Sequence, residues 1–299
     1  MTLAAPRPPT TGHLHLGKYH GLGNDFLVWL TDRSTADAVD LAALARQVCD
    51  RHRGVGADGL LVGTPSDVAG GPLTMVLHNA DGSRAEMSGN GIRCFVHAVA
   101  RDAGMEEGEL AVQTDAGLRT VDFGPAPDGD PRSIVATVDM GTAAAGPAPD
   151  TGAPGPAGGH AAGAGAAGPA PLRQAEVELG NPHLVLLVDD PAAVDRAAVG
   201  PAWEARYSHG INVHFVAPSA DGSSLAVHTW ERGAGLTEAC GTGAAASAHA
   251  AHRWGLVGDH VGVTMPGGDV QVALGEPIHL TGPSSWIADV EVPCGRVRA

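Results

Sequence analysis

The sequence predicts an α+β protein built of two similar halves, and three observations carry that prediction. Most of the chain reads as short strands, with β-branched or apolar runs at 26–30, 60–62, 73–78, 134–140, 176–179, 184–188, 212–217, 225–230 and 261–265, bounded by turn-forming residues. Only a few stretches carry the 3.6-residue periodicity of a helix. Finally, a six-residue pattern occurs twice, about 150 residues apart. It reads Glu86-Met87-Ser88-Gly89-Asn90-Gly91 in the first half and Glu238-Ala239-Cys240-Gly241-Thr242-Gly243 in the second, each ahead of a helical stretch. Its matching place in each half points to an internal duplication.

Taken in chain order, residues 1–12 are rich in Pro, Thr and Ala and lack the basic and apolar segments of a signal peptide, so a flexible tail is expected. Asp40 precedes Leu41, Leu44, Ala45 and Val48, a helical stripe stopped by Gly54. Asp81-Gly82 reads as a hairpin turn. Ile92, Phe95, Val96 and Val99 form a second stripe, ended near Gly104. Residues 143–171 are almost wholly Ala, Gly and Pro and cannot bury a core, which predicts a disordered insertion. A third helix, over 243–254, is nearly all Ala and His; side chains so small imply a buried helix closely approached by other elements. Gly267-Gly268 reads as a second hairpin turn, after Pro266 at a strand end. The expected halves are 13–139, completed by 282–299, and 140–281.

Composition excludes several functions. Thirty-three acidic against eighteen basic residues give a formal charge of −15, and no Lys/Arg cluster interrupts that background. Nucleic acid and anionic membrane surfaces are therefore not expected partners. No run approaches the length of a membrane-spanning helix. Four widely spaced cysteines, Cys49, Cys94, Cys240 and Cys294, suit a reducing cytoplasm better than a disulfide scaffold. The chain holds a single lysine, Lys18, which argues against Schiff-base or pyridoxal-phosphate chemistry.

The repeated unit has a chemical meaning. A helix start presents backbone N–H groups and the positive end of the dipole, and glycines let a ligand approach them closely. That is a socket for a carboxylate. A thiol placed there is expected to have its pKa lowered towards neutrality and to serve as a general base. Two such sockets facing one substrate would hold its carboxylate and set an acid/base group on each face of the α-carbon, the arrangement that stereoinversion needs. Their donors would stabilise charge developing on that carboxylate.

Across nearly its whole length the chain resembles diaminopimelate epimerase. The motifs that carry the resemblance are YHGLGNDF at 19–26, RGVGAD at 53–58, NADGS at 79–83, SGNGIRC at 88–94, GNPH at 180–183, ERGAG at 231–235 and CGTG at 240–243. Each is weak alone; in this order and spacing they are specific. The resemblance implies two pseudo-symmetric domains, each a barrel-like, mostly antiparallel sheet around a central helix, with the site in the cleft between them. It also implies conversion of L,L- to meso-diaminopimelate by two opposed cysteines, without metal or cofactor, in a cytoplasmic homodimer. Carried over by motif, Asn24, Asn79, Asn181, Asn212, Glu231 and Arg232 match substrate-binding positions, with Glu231 and Arg232 gripping the distal ammonium and carboxylate. Gly89, Asn90, Gly241 and Thr242 would hold the reacting carboxylate through their backbones.

Cys240 matches one catalytic cysteine of the family, whereas Ser88 stands where the other is expected. A serine hydroxyl is too weak an acid to be a resident base near neutral pH, so it would need a neighbouring base; the resemblance offers His183 as the candidate. Gly59 also departs, since many members have Gln there. Two other readings therefore stand beside epimerisation of diaminopimelate. One is a related isomerase, epimerase or dehydratase using a Ser88/Cys240 pair on another amino acid; the other is a non-catalytic amino-acid-binding paralogue. Elsewhere the sequence reads as structural. The glycines at 54–59 match a dinucleotide fingerprint but follow a helix and precede a strand, the reverse of the required order. Cys49 and Cys94 lie on apolar helix faces and read as core residues, and Cys294 as inert. The histidine pairs His13/His15 and His249/His252 have no carboxylate or cysteine at ligand spacing, so no metal is expected.

Overall fold

From His13 onward the side chains run exposed, buried, exposed, buried, so Leu14 and Leu16 enter the core while His13 and His15 face water. This computed structural model describes residues 13–68, 70–150 and 170–293; the expected tail 1–12 and the assignment of Cys294 lie outside the described residues. The chain divides into two units, Met1–Asp139 with Thr281–Ala299, and Met140–Leu280.

In the first unit β1 (His13–Gly21) turns directly into antiparallel β2 (Asn24–Leu30). The turn holds Leu22 at φ 56° and Gly23 at φ 83°, the left-handed pair that suits a two-residue hairpin. A crossover through α1 (Arg33–Asp37) and α2 (Leu41–Val48) brings β3 (Gly59–Thr64) parallel to β2. Asp40 caps α2 by accepting from the Ala43 N–H, and Leu44, Ala45 and Val48 join Leu16, Leu27 and Leu60 in one apolar cluster. Next, β4 (Leu73–Asn79) and β5 (Arg84–Ala85) add antiparallel neighbours. After α3 (Gly89–Ala103), β6 (Gly108–Thr114) pairs parallel with β4, and β7 (Gly117–Pro125) and β8 (Ser133–Gly141) follow antiparallel.

The second unit repeats this order of directions. After β9 (Ala144–Ala145), β10 (Arg173–Glu178) is antiparallel to β11 (Pro182–Leu187). A crossover holding α4 (Arg196–Glu204) sets β12 (Asn212–Pro218) parallel to β11. Then β13 (Ser224–Glu231) and β14 (Gly235–Thr237) run antiparallel, α5 (Gly241–Arg253) follows, β15 (His260–Met265) is parallel to β13, and β16 (Gly268–Ala273) is antiparallel to β15. The repeated six-residue pattern falls at the same place in both, between a two- or three-residue strand and a long helix. Finally β17 (Ile278–Pro293) pairs with β8 and β1, so that β1, β2, β3, β4, β6, β7, β8 and β17 close into an eight-stranded ring. A closed ring leaves no free sheet edge.

Each long helix is buried on all sides, as a helix enclosed by strands must be. Along α3 every residue from Gly89 to Ala100 is buried, against β1, β2, β3, β4 and β7. The small residues of α5 are buried from Gly241 to Ala248, against β10 to β13, β15 and β16. No helix among the described residues is long and apolar enough to cross a membrane.

The structure corrects several sequence expectations. The second turn is Pro266-Gly267, since Gly268 already pairs with Met265. Helix α2 ends at Val48 rather than running to Gly54, because the Asp50 carboxylate takes the N–H groups of His52 and Arg53 into a turn. Within the expected insertion, Ala144 and Ala145 pair with Glu178 and Val177, and the N–H groups of Gly146 and Asp150 donate to Glu176 O and Arg206 O. Backbone hydrogen bonds need no large side chains, so composition alone misjudged 143–150; residues 151–169 lie outside the described residues.

Candidate active site

In the first unit Ser88 caps α3 with extended backbone angles, φ −140° and ψ 120°, and its Oγ accepts from the Gly91 N–H at 3.0 Å. The half-buried hydroxyl sits at the positive end of the helix. Arg93, one turn on, is wholly buried; burial lowers its pKa to about 10, which still leaves it charged at neutral pH. It donates to Gly89 O at 3.0 Å, Pro283 O at 3.2 Å and Asn90 Oδ1 at 2.7 Å. Asn90 Nδ2 then donates to Asn24 Oδ1 at 3.2 Å, and Asn24 Nδ2 to Asp58 Oδ2 at 2.8 Å. Arg51 spans Asp58 and Asp25, at 2.7 Å from each, with Lys18 3.0 Å from Asp25. Burial opposes ionisation of Asp25, but Arg51 and Lys18 outweigh it and hold the carboxyl below its usual range. Gly89, Asn90 and Asn24 are thus joined through Arg93 in one hydrogen-bonded set that begins at the residue after Ser88. Asn79 stands apart from this chain of bonds, donating to Ser83 Oγ at 3.0 Å across the Asp81-Gly82 turn.

In the second unit Cys240 caps α5 with nearly the same backbone, φ −128° and ψ 110°. Its sulfur accepts from the Gly243 N–H at 3.4 Å and lies 3.6 Å from Thr242 Oγ1. The Glu231 carboxylate is within hydrogen-bonding reach of the thiol and also accepts from Thr237 Oγ1 at 2.6 Å. The expected lowering of the thiol pKa is overturned. Burial pushes it well above the ordinary thiol range and Glu231 adds to this, against smaller opposing effects of Thr242 and the Gly243 N–H. Loss of hydration in a site 4% exposed outweighs the helix end, so the resting group is a thiol with a carboxylate acceptor beside it. Glu231 thus lies at the Cys240 thiol, whereas the resemblance had implied a distal contact for it.

Around this pair Asn212 Oδ1 accepts from the Arg232 N–H at 3.0 Å, and Asn212 Nδ2 donates to Pro182 O at 3.1 Å. The Arg232 guanidinium donates to His209 O at 3.3 Å. Asn181 lies 3.5 Å from Thr242 Oγ1 and 2.7 Å from His183 Nε2. His183 was a candidate base for Ser88, but both its ring nitrogens are engaged inside its own unit, with Asn181 and, at 2.8 Å, with His214 Nε2. Burial first, then the neighbouring His214 and Arg232, holds its pKa well below normal, so it is neutral.

Sequence reasoning missed Arg51, Asp58, Arg93 and His214 as parts of these networks, and Thr229, whose Oγ1 lies 3.0 Å from His214 Nδ1. His214 had a readable signal, a polar residue inside the wholly buried run Val213 to Val216. Its ring fills the space beside Gly243, where an added methyl would run into it. Gly243→Ala should lower folding stability by about 1–3 kcal/mol, read as a lower denaturation midpoint. An unchanged midpoint would show that the ring moves aside freely. Cys49 and Cys94 are core residues, their thiols raised by burial to about 12 and about 11. Among the described residues no cluster of His, Cys, Asp and Glu is arranged to hold a metal ion.

The family model for diaminopimelate epimerase matches residues 16–145 and 176–287. The diaminopimelate epimerase of Methanothermobacter thermautotrophicus is 38% identical over 260 residues, covering 85% of this chain and 88% of that protein. That of Desulfitobacterium hafniense is 35% identical over 279 residues, covering 92% and 96%. Among solved structures, a hydroxyproline epimerase from Agrobacterium vitis superposes with a TM-score of 0.70 at 17% identity, over 95% of this chain and 93% of that one. A predicted epimerase from Pseudomonas aeruginosa gives a TM-score of 0.66 at 16% identity, over 93% and 99%. These two share the fold. The sequence matches span both repeats, including the two helix starts that carry Ser88 and Cys240: the chain belongs to the diaminopimelate epimerase family.

Proposed function

We propose that this isomerase interconverts L,L- and meso-diaminopimelate by moving a proton at one α-carbon, with Cys240 as a principal acid/base and Ser88 at the counterpart position. The observation that carries this reading is the Cys240 thiol at the start of α5, with the Glu231 carboxylate as its hydrogen-bond acceptor. Inversion removes a proton from one face of the α-carbon and returns one to the other, and each unit offers one candidate group. When the Cys240 thiolate takes the α-proton, the electron pair left behind spreads into the substrate carboxylate. The first-turn amides of Gly241 and Thr242, and those of Gly89 and Asn90, are suited to bind that charge. Asn24, Asn79, Asn181, Asn212 and Arg232 are the proposed amide and cation contacts for the remaining ends of the substrate. A homodimer and a cytoplasmic setting, implied by the resemblance, belong to the same proposal.

The test is proton exchange in D₂O, followed by NMR at the α-position of L,L- and of meso-diaminopimelate. With a thiol in one unit and only a hydroxyl in the other, exchange should be fast from one configuration and slow from the other. Equal, fast exchange from both would mean that the Ser88 side carries a full catalytic base, and the assignment would fail. Absence of exchange from either would favour an amino-acid-binding role instead.

A further inference from the structure

A line of polar groups runs through the second unit to Cys240, and the reading above leaves Thr229, His214 and His183 within it unused. Thr229 Oγ1 lies 3.0 Å from His214 Nδ1, and His214 Nε2 lies 2.8 Å from His183 Nδ1. His183 Nε2 lies 2.7 Å from Asn181 Oδ1, Asn181 Nδ2 is 3.5 Å from Thr242 Oγ1, and Thr242 Oγ1 is 3.6 Å from the sulfur of Cys240. Both rings are fully buried, as is Thr229, which is 2% exposed. No water is needed to join any of these steps.

Such a line has two possible polarities, because each neutral imidazole carries one N–H and each hydroxyl one O–H. The end at Cys240 selects between them. A carboxylate only accepts, so Glu231 draws the S–H towards itself. The sulfur then offers lone pairs elsewhere, and it already accepts from the Gly243 N–H. Thr242 must therefore donate its O–H to the sulfur and accept from the NH₂ of Asn181. The Asn181 carbonyl then faces His183, whose Nε2 must carry the proton. His183 Nδ1 accepts from His214 Nε2–H, and His214 Nδ1 accepts from the Thr229 hydroxyl. In the reverse polarity Thr242 would turn its hydroxyl hydrogen towards Asn181 and leave the sulfur one donor short.

We infer that His214 and Thr229 are positioning residues that, through His183 and Asn181, hold a one-way hydrogen-bond relay whose last donor, the Thr242 hydroxyl, is aimed at the Cys240 sulfur. The relay sets the amide orientation of Asn181 and supplies a second donor for the thiolate when Cys240 gives up its proton. The catalytic consequence rests on the proposed function; the relay itself does not.

Two measurements test it. On the ligand-free wild-type protein, long-range ¹H–¹⁵N NMR of the histidine rings should show His183 and His214 both protonated at Nε2 and bare at Nδ1. A proton on Nδ1 of either ring, or on both nitrogens of one, overturns the relay whatever the enzyme turns over. Variants then test its consequence. Gln can present a donor near the position of imidazole Nε2, so His214→Gln should keep kcat within about threefold, whereas His214→Leu should lower kcat by about tenfold with KM little changed. The pH midpoint for alkylation of Cys240, read on that cysteine's peptide, should rise by about one unit in His214→Leu and return towards wild type in His214→Gln. Equal effects of Leu and Gln on both readouts would mean that the ring acts by filling space, and would overturn the inference. If His214→Leu fails to fold, the wild-type tautomers still decide. If wild type fails to turn over diaminopimelate, the function falls while the tautomer and alkylation results stand.

Discussion

Cys240→Ala should cut exchange of the diaminopimelate α-proton by about 10²–10⁴-fold, the range expected when a positioned acid/base is removed. The variant should fold, because Ala fits the buried site and the lost cap bond to the Gly243 N–H costs about 1 kcal/mol. The pH profile sharpens the test. Burial and Glu231 hold the thiol well above its ordinary range, so the thiolate fraction grows as pH rises through neutrality and beyond. Exchange that depends on the thiolate should therefore accelerate towards alkaline pH in wild type, and that rise should vanish in Cys240→Ala. If the variant exchanges at the wild-type rate, or keeps the same rise, Cys240 is not the base. Circular dichroism and the denaturation midpoint show whether any loss comes from unfolding.

Ser88→Cys should raise diaminopimelate epimerisation by a factor on the order of 10² or more, again on the scale of one added acid/base group. Two features of the site support a thiol there. Ser88 has the same extended backbone and the same cap bond as Cys240, to Gly91 N in place of Gly243 N. It is also less buried than Cys240, so a thiolate would lose less hydration and would benefit more from the positive helix end. Exchange from the two configurations, unequal in wild type, should become comparable in Ser88→Cys. If the change leaves epimerisation flat or lowers it, Ser88 is an adaptation to another amino acid, and diaminopimelate is not the substrate this chain serves best.

Much of the chain was legible because its signals are local. Apolar and β-branched runs marked β2, β4, β12 and β13, and the stripe after Asp40 and the caps at Ser88 and Gly104 marked α2 and α3. Strands with mixed faces were missed. Along β6 and β7 the exposed and half-buried positions dilute the apolar signal, and β17 loses it over its outer half. Two other crossover helices were missed for different reasons: α1 spans only five residues, and α4 carries Pro201 inside it.

The sequence by itself determined the duplication, the two helix-start sockets and the family motifs, because each depends on residues adjacent along the chain. Only the tertiary structure decided the state of Cys240. A helix start favours a thiolate and burial opposes it, and burial depends on the strands that enclose α5 and on a carboxylate at the end of β13. It likewise decided the place of His183: Asn181, two positions away, meets one ring nitrogen, and His214, thirty-one positions away, is brought to the other by the β11–β12 pairing. Desolvation and hydrogen bonding between distant residues are properties of packing, so no local pattern could have disclosed them.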